Sequence, residues 1–323
     1  MMFPSKAELQ ICFAHVAYQM QARFALRETG IASTQARNAS EFQSALAIAN
    51  VLVVSGLWRN ELLDHAPNLR FIQSIGAGTD QFDQAALAAR NIRLASAAGV
   101  NARAVSEHAM ALILALARRL PEARDNQHKH IWRGMIGHIP DREDELGGKT
   151  LLIVGLGRIG GRLAQLGKAF DMRVIGVRRD PAGGRNHADS VHALSDLPGL
   201  LPHADFVALT CPLTAATTGL IDAAALAKMQ PGAYLINCAR GRVVVEDALI
   251  DALRNGVIAG AGIDVTHDEP LDVASPLWDL PNALITPHTA GETRRYEDNV
   301  LDIMLENLAR LERGEAQLRN QVV

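Results

Sequence analysis

Three side chains with complementary chemistry follow three short apolar stretches in the second half of the chain. They are Arg240, Glu269 and His288. An arginine can hold a carboxylate through two parallel hydrogen bonds and can polarise an adjacent carbonyl. A histidine can exchange a proton near neutral pH, and a neighbouring carboxylate orients the ring and favours its charged form. Taken singly, each of the three residues is more often found in a loop or structural role. As a set they predict reduction of a 2-keto acid, or oxidation of a 2-hydroxy acid, if a hydride donor binds beside them.

A glycine-rich turn supplies the site for such a donor. Gly155, Gly157 and Gly160 directly follow the apolar stretch 151–154 and precede a helical pattern. The first glycine permits the tight turn, the second lets the backbone approach a pyrophosphate, and the third lets helix and strand pack closely. The helix N-terminus offers free N–H groups to the phosphates. A dinucleotide cofactor is therefore predicted here.

The residues about 20 positions beyond this turn favour NADP over NAD. NAD sites usually carry an acidic residue there, which binds the ribose hydroxyls. This chain has Arg178 and Arg179 instead, and guanidinium groups pair well with a 2′-phosphate. Two alternatives stay open, because the arginines could be solvated and Asp180 is near enough to serve the ribose. NADP is the predicted cofactor, with NAD possible.

The surrounding pattern predicts an α/β protein. Six strands are expected at 150–154, 172–177, 205–209, 233–237, 260–265 and 283–286, with helices at 159–170, 221–229 and 246–255. Such an alternation is typical of a doubly wound parallel sheet, whose ligands bind beyond the carboxyl ends of the strands. Arg240, Glu269 and His288 follow the fourth, fifth and sixth strands, so they should face one crevice.

The first hundred residues predict a second, smaller parallel-sheet domain. Strands are expected at 51–54, 69–75 and 91–94, and helices at 84–90 and at 40–49, with Ser40 as N-cap. A long helix at 102–120 should bridge the domains, followed by an irregular arm at 121–148. The helix predicted at 293–313 should return to the first domain.

The chain is thus expected to form two Rossmann-like or flavodoxin-like doubly wound domains with an interdomain cleft. Residues 1–100 and 292–323 would bind substrate, and residues 101–291 would bind the dinucleotide. Its 323 residues and net charge of −3 do not predict a nucleic-acid partner. No segment reads as a membrane span, and no residues read as metal ligands. Three sparse cysteines favour a reducing compartment, so we expect a cytoplasmic protein.

Several motifs, in order, resemble the D-isomer-specific 2-hydroxyacid dehydrogenases, specifically the glyoxylate/hydroxypyruvate reductase branch. They are residues 74–80 (SIGAGTD), 99–102 (GVNA), 107–108 (EH), 155–160 (GLGRIG), 211–214 (CPLT) with Thr217, 237–241 (NCARG), 262–265 (GIDV), 269–271 (EPL), and 286–288 (TPH) with 290–291 (AG). The first seventy residues match only in general pattern. Arg178 and Arg179 depart from NAD-using members, which carry Asp there.

The resemblance implies roles for further residues. Arg240, Glu269 and His288 would be the catalytic set, and the N–H groups of Ala77 and Gly78 would help hold the substrate carboxylate. Asp264 would face the nicotinamide amide, although a capping role is also open to it. Other implied cofactor contacts are Arg158, Ile159, Cys211, Pro212, Thr217, Cys238, Ala239, His288 and Gly291.

The family is commonly dimeric, with an arm at about residues 101–148. Trp132 would then bury against the partner, or else lie in the core.

The identity of the substrate remains open between small and bulky keto acids. Glyoxylate and hydroxypyruvate come first. Leu57 and Trp58 follow a strand of the first domain and could contact a larger or aryl side chain, or could simply pack in that domain. An alternative of another class is a dinucleotide-sensing corepressor resembling the C-terminal binding proteins. Keto-acid-dependent turnover separates that alternative from a reductase.

Overall fold

The computed structural model describes residues 3–323, apart from the side chain of Pro140. The strands are β1 (Gln10–Ala14), β2 (Ala32–Ala36), β3 (Val51–Val54), β4 (Phe71–Ser74), β5 (Arg93–Ala95), β6 (Thr150–Val154), β7 (Arg173–Val177), β8 (Ser190–His192), β9 (Phe206–Leu209), β10 (Tyr234–Asn237), β11 (Gly260–Ile263) and β12 (Ala283–Ile285). The helices are α1 (Met20–Ala25), α2 (Ala39–Leu46), α3 (Gln84–Ala89), α4 (Ala102–Ala117), α5 (Leu120–His128), α6 (Arg158–Ala169), α7 (Leu197–Leu200), α8 (Ala223–Leu226), α9 (Glu246–Arg254) and α10 (Tyr296–Glu312). Short 3₁₀ helices lie at Asn60–His65, Ile139–Asp141, Leu194–Asp196, Leu201–His203, Gly241–Val243 and Pro276–Asp279.

The chain divides into two compact units. Unit 1 contains the described residues up to Asn101 together with Thr293–Val323, and unit 2 is Ala102–Glu292. Each unit has its own parallel sheet. The predicted fold class of two doubly wound α/β domains is confirmed.

Unit 1 is built on a five-stranded parallel sheet in the order β2-β1-β3-β4-β5. Its central strand β3 consists of four apolar residues, all fully buried, as expected for a parallel strand covered on both faces. The helix α10 packs against α1. Residues of α10 such as Tyr296 and Val300 share a core cluster with Phe13 of β1, so the C-terminal helix belongs to this unit.

Unit 2 is built on a seven-stranded parallel sheet in the order β12-β11-β10-β9-β6-β7-β8. Hydrogen-bonded pairing aligns the last residues of its strands in one row, which consists of His192, Val177, Val154, Leu209, Asn237, Ile263 and Ile285. Because all strands run in the same direction, every segment that leaves this row starts at the same sheet edge. This edge therefore collects the glycine turn and the three polar loops.

The sequence prediction lacked three strands and three helices of the structure, which are β1, β2, β8, α1, α5 and α7. The strands β1, β2 and β8 extend the two sheets, so unit 2 has seven strands instead of six. The segment expected to be an irregular arm begins with α5, which buries none of its side chains and so has no apolar periodicity to reveal it. The N-cap of α2 is Asn38, whose side chain accepts a hydrogen bond from Glu41 N. The prediction of Ser40 as N-cap was wrong by two residues.

In the part of the chain that the structure describes, no helix combines the length and the apolar character needed to cross a bilayer.

Candidate active site

The polar side chain of Asn237 shapes the segment that carries Arg240. Asn237 ends β10 and is only 2% exposed. Its Oδ1 accepts a hydrogen bond from Ala239 N at 3.1 Å, and its Nδ2 donates to Arg240 O at 3.2 Å. These bonds fold the chain sharply at the strand end. Sequence reasoning gave Asn237 no role of its own; a polar residue closing an otherwise apolar strand was the available signal.

The next residue, Gly241, brings two loops into contact. A Cβ atom added there would lie 1.8 Å from Thr266 O, which is a severe overlap with backbone. The segment after β10 therefore presses directly on the segment after β11. The half-buried side chain of Arg240 donates from Nη1 to Ala239 O at 2.7 Å. Within residues 3–323 it forms no ion pair, so its charge is available to an anionic ligand.

His288 and Glu269 form a hydrogen-bonded pair. His288 Nδ1 lies 2.7 Å from Glu269 Oε2, and the two side chains are 48% and 38% exposed. An ionised carboxylate only accepts hydrogen bonds, so Nδ1 carries a proton and Nε2 is left to exchange one. The other oxygen of Glu269, Oε1, accepts a hydrogen bond from Thr266 N at 3.3 Å. Glu269 is therefore held from its own loop while it orients the ring.

The backbone at His288 is held in an unusual conformation. Its φ is +54°, in the left-handed region that non-glycine residues seldom adopt. His288 N donates to the backbone oxygen of Asp264 at 2.8 Å. The carboxylate of Asp264 accepts hydrogen bonds from the side chain of Thr286 and from the backbone N of Thr289 and Ala290. Asp264 thus caps the turn that carries His288, which was the alternative left open for it. Its nicotinamide contact stays a prediction.

The glycine turn has the geometry that a dinucleotide requires. Gly155 has φ +106°, and a Cβ there would lie 2.5 Å from Cys211 N. A Cβ on Gly160 would lie 2.3 Å from Gly155 O, whereas one on Gly157 would meet nothing within 4 Å. The first and third glycines are therefore fixed by close packing, and the second leaves open space. Gly157 also forms the N-cap of α6, so the N-terminus of this helix, whose first N–H groups have no acceptor within the helix, lies at that space.

The two arginines that were predicted to bind phosphate follow β7, and they differ in their hydrogen bonding. Arg178 donates from Nη1 to Gly183 O at 2.8 Å and to Gly184 O at 3.2 Å. Asp180 is occupied as well, because its Oδ1 accepts a hydrogen bond from Ala182 N at 3.0 Å. The side chain of Arg179 is exposed and has no hydrogen-bond or ion-pair partner among the described residues. Only Arg179 is thus fully available to an added phosphate.

The remaining predicted cofactor contacts lie on several segments of unit 2. Thr217 is buried, and its Oγ1 donates to Pro212 O at 2.7 Å, so it fixes the loop after β9. Burial raises the pKa of the Cys211 thiol to about 11 and raises that of Cys238 further. Both thiols are protonated at neutral pH and would contact a cofactor as small apolar groups. Arg158 and Ile159 are the first two residues of α6. Ala239 precedes Arg240, and Gly291 follows the turn that carries His288.

The predicted substrate-binding residues of unit 1 differ in whether they are available to a ligand. In the part of the chain described here, the backbone N–H groups of Ala77 and Gly78 have no hydrogen-bond acceptor. Ser74 Oγ donates to Gly76 O at 3.0 Å, which holds the loop that presents them. Trp58 is 1% exposed, and its Nε1 donates to Asn60 Oδ1 within the unit 1 core. The prediction that Trp58 contacts substrate is therefore wrong, and it packs in the domain. Leu57 is half-buried and stays a prediction.

The fold and the glycine turn define a dinucleotide-dependent α/β oxidoreductase. A family profile for the D-isomer specific 2-hydroxyacid dehydrogenase, NAD binding domain, matches residues 110–290. Among similar proteins, glyoxylate/hydroxypyruvate reductase B of Pectobacterium atrosepticum is 39% identical over 267 residues, which are 82% of each chain. The chain belongs to the D-isomer specific 2-hydroxyacid dehydrogenase family, as its motifs predicted.

Solved structures agree with this assignment. A D-isomer specific 2-hydroxyacid dehydrogenase family protein from Aeromonas salmonicida has a TM-score of 0.85 and 30% identity, covering 98% of this chain and 99% of that one. The NADPH-dependent glyoxylate/hydroxypyruvate reductase of Sinorhizobium meliloti, in complex with NADP and malonate, has a TM-score of 0.81 and 27% identity, covering 98% and 97%.

Proposed function

We propose that this enzyme transfers a hydride between NADP(H) and a small 2-keto acid, which becomes the D-2-hydroxy acid. The observation that carries the proposal is the His288–Glu269 pair at 2.7 Å. It lies on the same sheet edge as the glycine turn and Arg240, which forms no ion pair among residues 3–323. Glyoxylate and hydroxypyruvate are the first candidate substrates, because the similar proteins of Pectobacterium and Sinorhizobium carry those names.

Each residue has a defined part in that reaction. The nicotinamide, when bound, supplies or accepts the hydride. Arg240 holds the substrate carboxylate and stabilises negative charge that develops on the neighbouring carbonyl oxygen. His288 delivers a proton from Nε2 to that oxygen and removes it in the reverse direction. Glu269 keeps the ring in the orientation and protonation pattern that this transfer needs.

The first experiment is a keto-acid screen with both reduced cofactors. Glyoxylate, hydroxypyruvate, pyruvate and phenylpyruvate should be followed at 340 nm with NADPH and with NADH. We expect the highest kcat/KM with NADPH and one of the two smallest substrates. The burial of Trp58 removes one of the two residues that favoured aryl keto acids. Absence of turnover with every substrate would instead favour the dinucleotide-sensing alternative.

We also propose that the substrate carboxylate receives hydrogen bonds from the backbone of unit 1. The unpaired N–H groups of Ala77 and Gly78 support this role, since adjacent free N–H groups bind anions. Unit 1 would thus be the substrate-binding domain and unit 2 the cofactor-binding domain. The three free cysteines are compatible with the cytoplasmic location that the sequence predicts.

Cofactor preference should depend on Arg179 more than on Arg178. Arg179→Gln removes the available guanidinium and should lower the NADPH to NADH ratio of kcat/KM about 10- to 100-fold, since hydrogen bonds to charged groups contribute about 1.5–3 kcal/mol. Arg178→Gln is the matched variant, and it should affect both cofactors alike by loosening the loop that Gly183 and Gly184 close. A larger ratio change in Arg178→Gln would contradict this division of roles.

A homodimer is proposed on the basis of the exposed apolar side chains that follow α5. Trp132 is 98% exposed and Met135 is 102% exposed, which supports burial of Trp132 against a partner and not in the core. A groove of about 480 Å³ lies beside Trp132, between α5 and the segment that follows it. Large exposed apolar side chains clustered in one arm are typical of protein interfaces.

Trp132→Asp should convert the dimer to a monomer. Burying a charge in place of an aromatic anchor should raise the dimer dissociation constant about 30-fold or more. Sedimentation velocity over a concentration series measures this change. Val273→Asp is the control, because Val273 is 94% exposed and lies outside the arm. A monomeric wild-type protein at all concentrations would refute the proposal.

A further inference from the structure

One motif of the chain takes no part in the proposed chemistry, although its histidine lies beside the catalytic turn. His108 belongs to α4, and its Nε2 lies 2.9 Å from Thr286 Oγ1 and 3.5 Å from Asp264 Oδ1. Its side chain is 23% exposed, and that of Asp264 is 2% exposed. His108 therefore contacts the residue after β12 and the residue after β11 at once.

The hydrogen bonds assign a proton to His108 Nε2. Thr286 Oγ1 lies 2.6 Å from Asp264 Oδ1. This carboxylate accepts from Thr289 N at 3.0 Å and from Ala290 N at 3.2 Å, so it is surrounded by donors. Thr286 has one hydroxyl proton and gives it to the carboxylate. Thr286 Oγ1 has then no proton left for His108 and can only accept a hydrogen bond from it. His108 Nε2 must therefore be the donor.

This direction makes a chain of donors that ends at the catalytic turn. His108 donates to Thr286, Thr286 donates to Asp264, and the two oxygens of Asp264 hold Thr289 N and Ala290 N. The same turn contains His288 with its left-handed backbone. Such a conformation persists only when the surroundings fix it.

We propose that His108 is a positioning residue that acts on His288 through Thr286 and Asp264. Losing its donor would leave Thr286 free to rotate its proton away from Asp264, and the turn after β12 would lose part of its support. The inference rests on the proposed role of His288 for its kinetic consequence. Its structural consequence, the protection of the amides of Thr289 and Ala290, is independent of any reaction.

The test compares His108→Leu with His108→Gln. Leucine removes the donor and keeps an apolar body, whereas the glutamine amide can still donate to Thr286. Hydrogen exchange followed by mass spectrometry should show faster exchange in a peptide covering residues 286–291 for His108→Leu and wild-type exchange for His108→Gln. In the full enzyme, kcat should fall about tenfold for His108→Leu, within the range of coupling between contacting residues, while KM for NADPH changes little.

Two further variants keep the test decisive if His108→Leu folds poorly. Thr286→Val removes the hydroxyl that links His108 to Asp264 at nearly constant shape and should reproduce the faster hydrogen exchange. Thr286→Ser should retain the wild-type exchange rate.

Combined with His288→Ala, His108→Leu should lower residual turnover no further, because it acts through His288. Wild-type exchange in both His108→Leu and Thr286→Val would overturn the inference, as would His108→Gln behaving like His108→Leu. If the exchange pattern is found but no keto acid is turned over, only the proposed function fails.

Discussion

His288→Ala should lower kcat by about 10³-fold while NADPH binds nearly as tightly as to the wild-type enzyme, because a positioned proton donor typically contributes about 10²–10⁴-fold. The imidazole is held by Glu269 on one nitrogen, and its Nε2 has no partner among residues 3–323. Its loss removes the proton for the developing alkoxide. The backbone contacts of the turn to Asp264 remain. Steady-state kinetics and fluorescence titration with NADPH measure the two effects.

His267→Ala is the matched control for that variant. His267 lies on the neighbouring loop, is 47% exposed on its side chain and is paired with Asp268 at 3.2 Å. It resembles His288 in exposure and in having an acidic partner, but it has no place in the proposed chemistry. Its turnover should stay within about twofold of wild type, as for most surface substitutions. If His267→Ala and His288→Ala lost activity equally, the assignment of the proton donor would be wrong.

Continuous burial made several strands readable from the sequence, although it did not reveal β1, which is buried at four of its five positions. The strand β6 is buried at all five positions, and its span was predicted to the residue. Parallel strands covered on both faces must be continuously apolar, which is readable from sequence. The strand β8 has only three half-buried residues at the sheet edge, and α5 buries nothing. Neither element contains a fully buried residue, so neither shows a continuous apolar pattern.

The shared sheet edge that carries the candidate site follows from strand order. Consecutive parallel strands that are neighbours must deliver their following loops to one edge, so Arg240, Glu269 and His288 could be grouped from strand order alone. What sequence could not supply are contacts set by distant backbone. The engagement of Arg178 by Gly183 O depends on a loop conformation that no local pattern specifies. The capping role of Asp264 likewise needs residues 25 and 26 positions further along the chain.

The position of Trp58 is a case in which the sequence pattern does not distinguish two structural roles. An aromatic residue beyond a strand end reads equally well as a pocket wall or as packing. Its 1% exposure and its bond to Asn60 decide for packing. The consequence for function is that Leu57 alone remains as a predicted contact to the substrate side chain. Small keto acids become the better-supported substrates.

Arg240→Ala should be the variant with the broadest kinetic effect, lowering kcat/KM by about 10³-fold or more, since loss of a single oxyanion donor costs about 10²–10³-fold. The guanidinium is the group proposed both to hold the substrate carboxylate and to polarise its carbonyl. Its removal should therefore raise KM for the keto acid and lower kcat together. By contrast, His288→Ala should act mainly on kcat. This difference between the two variants separates binding from proton transfer.

Two further arginine variants sharpen that test. Arg240→Lys keeps the charge but loses the planar fork, so it should recover part of the binding and little of the rate. Arg242→Ala is the control, because Arg242 lies two residues away, is 58% exposed on its side chain and reaches Asp268 only at 3.9 Å. It should leave kcat/KM within about twofold of wild type. If the Arg240→Ala enzyme binds and reduces keto acids as well as the Arg242→Ala enzyme does, the substrate carboxylate is held elsewhere. The backbone N–H groups of Ala77 and Gly78 would then be the next groups to alter.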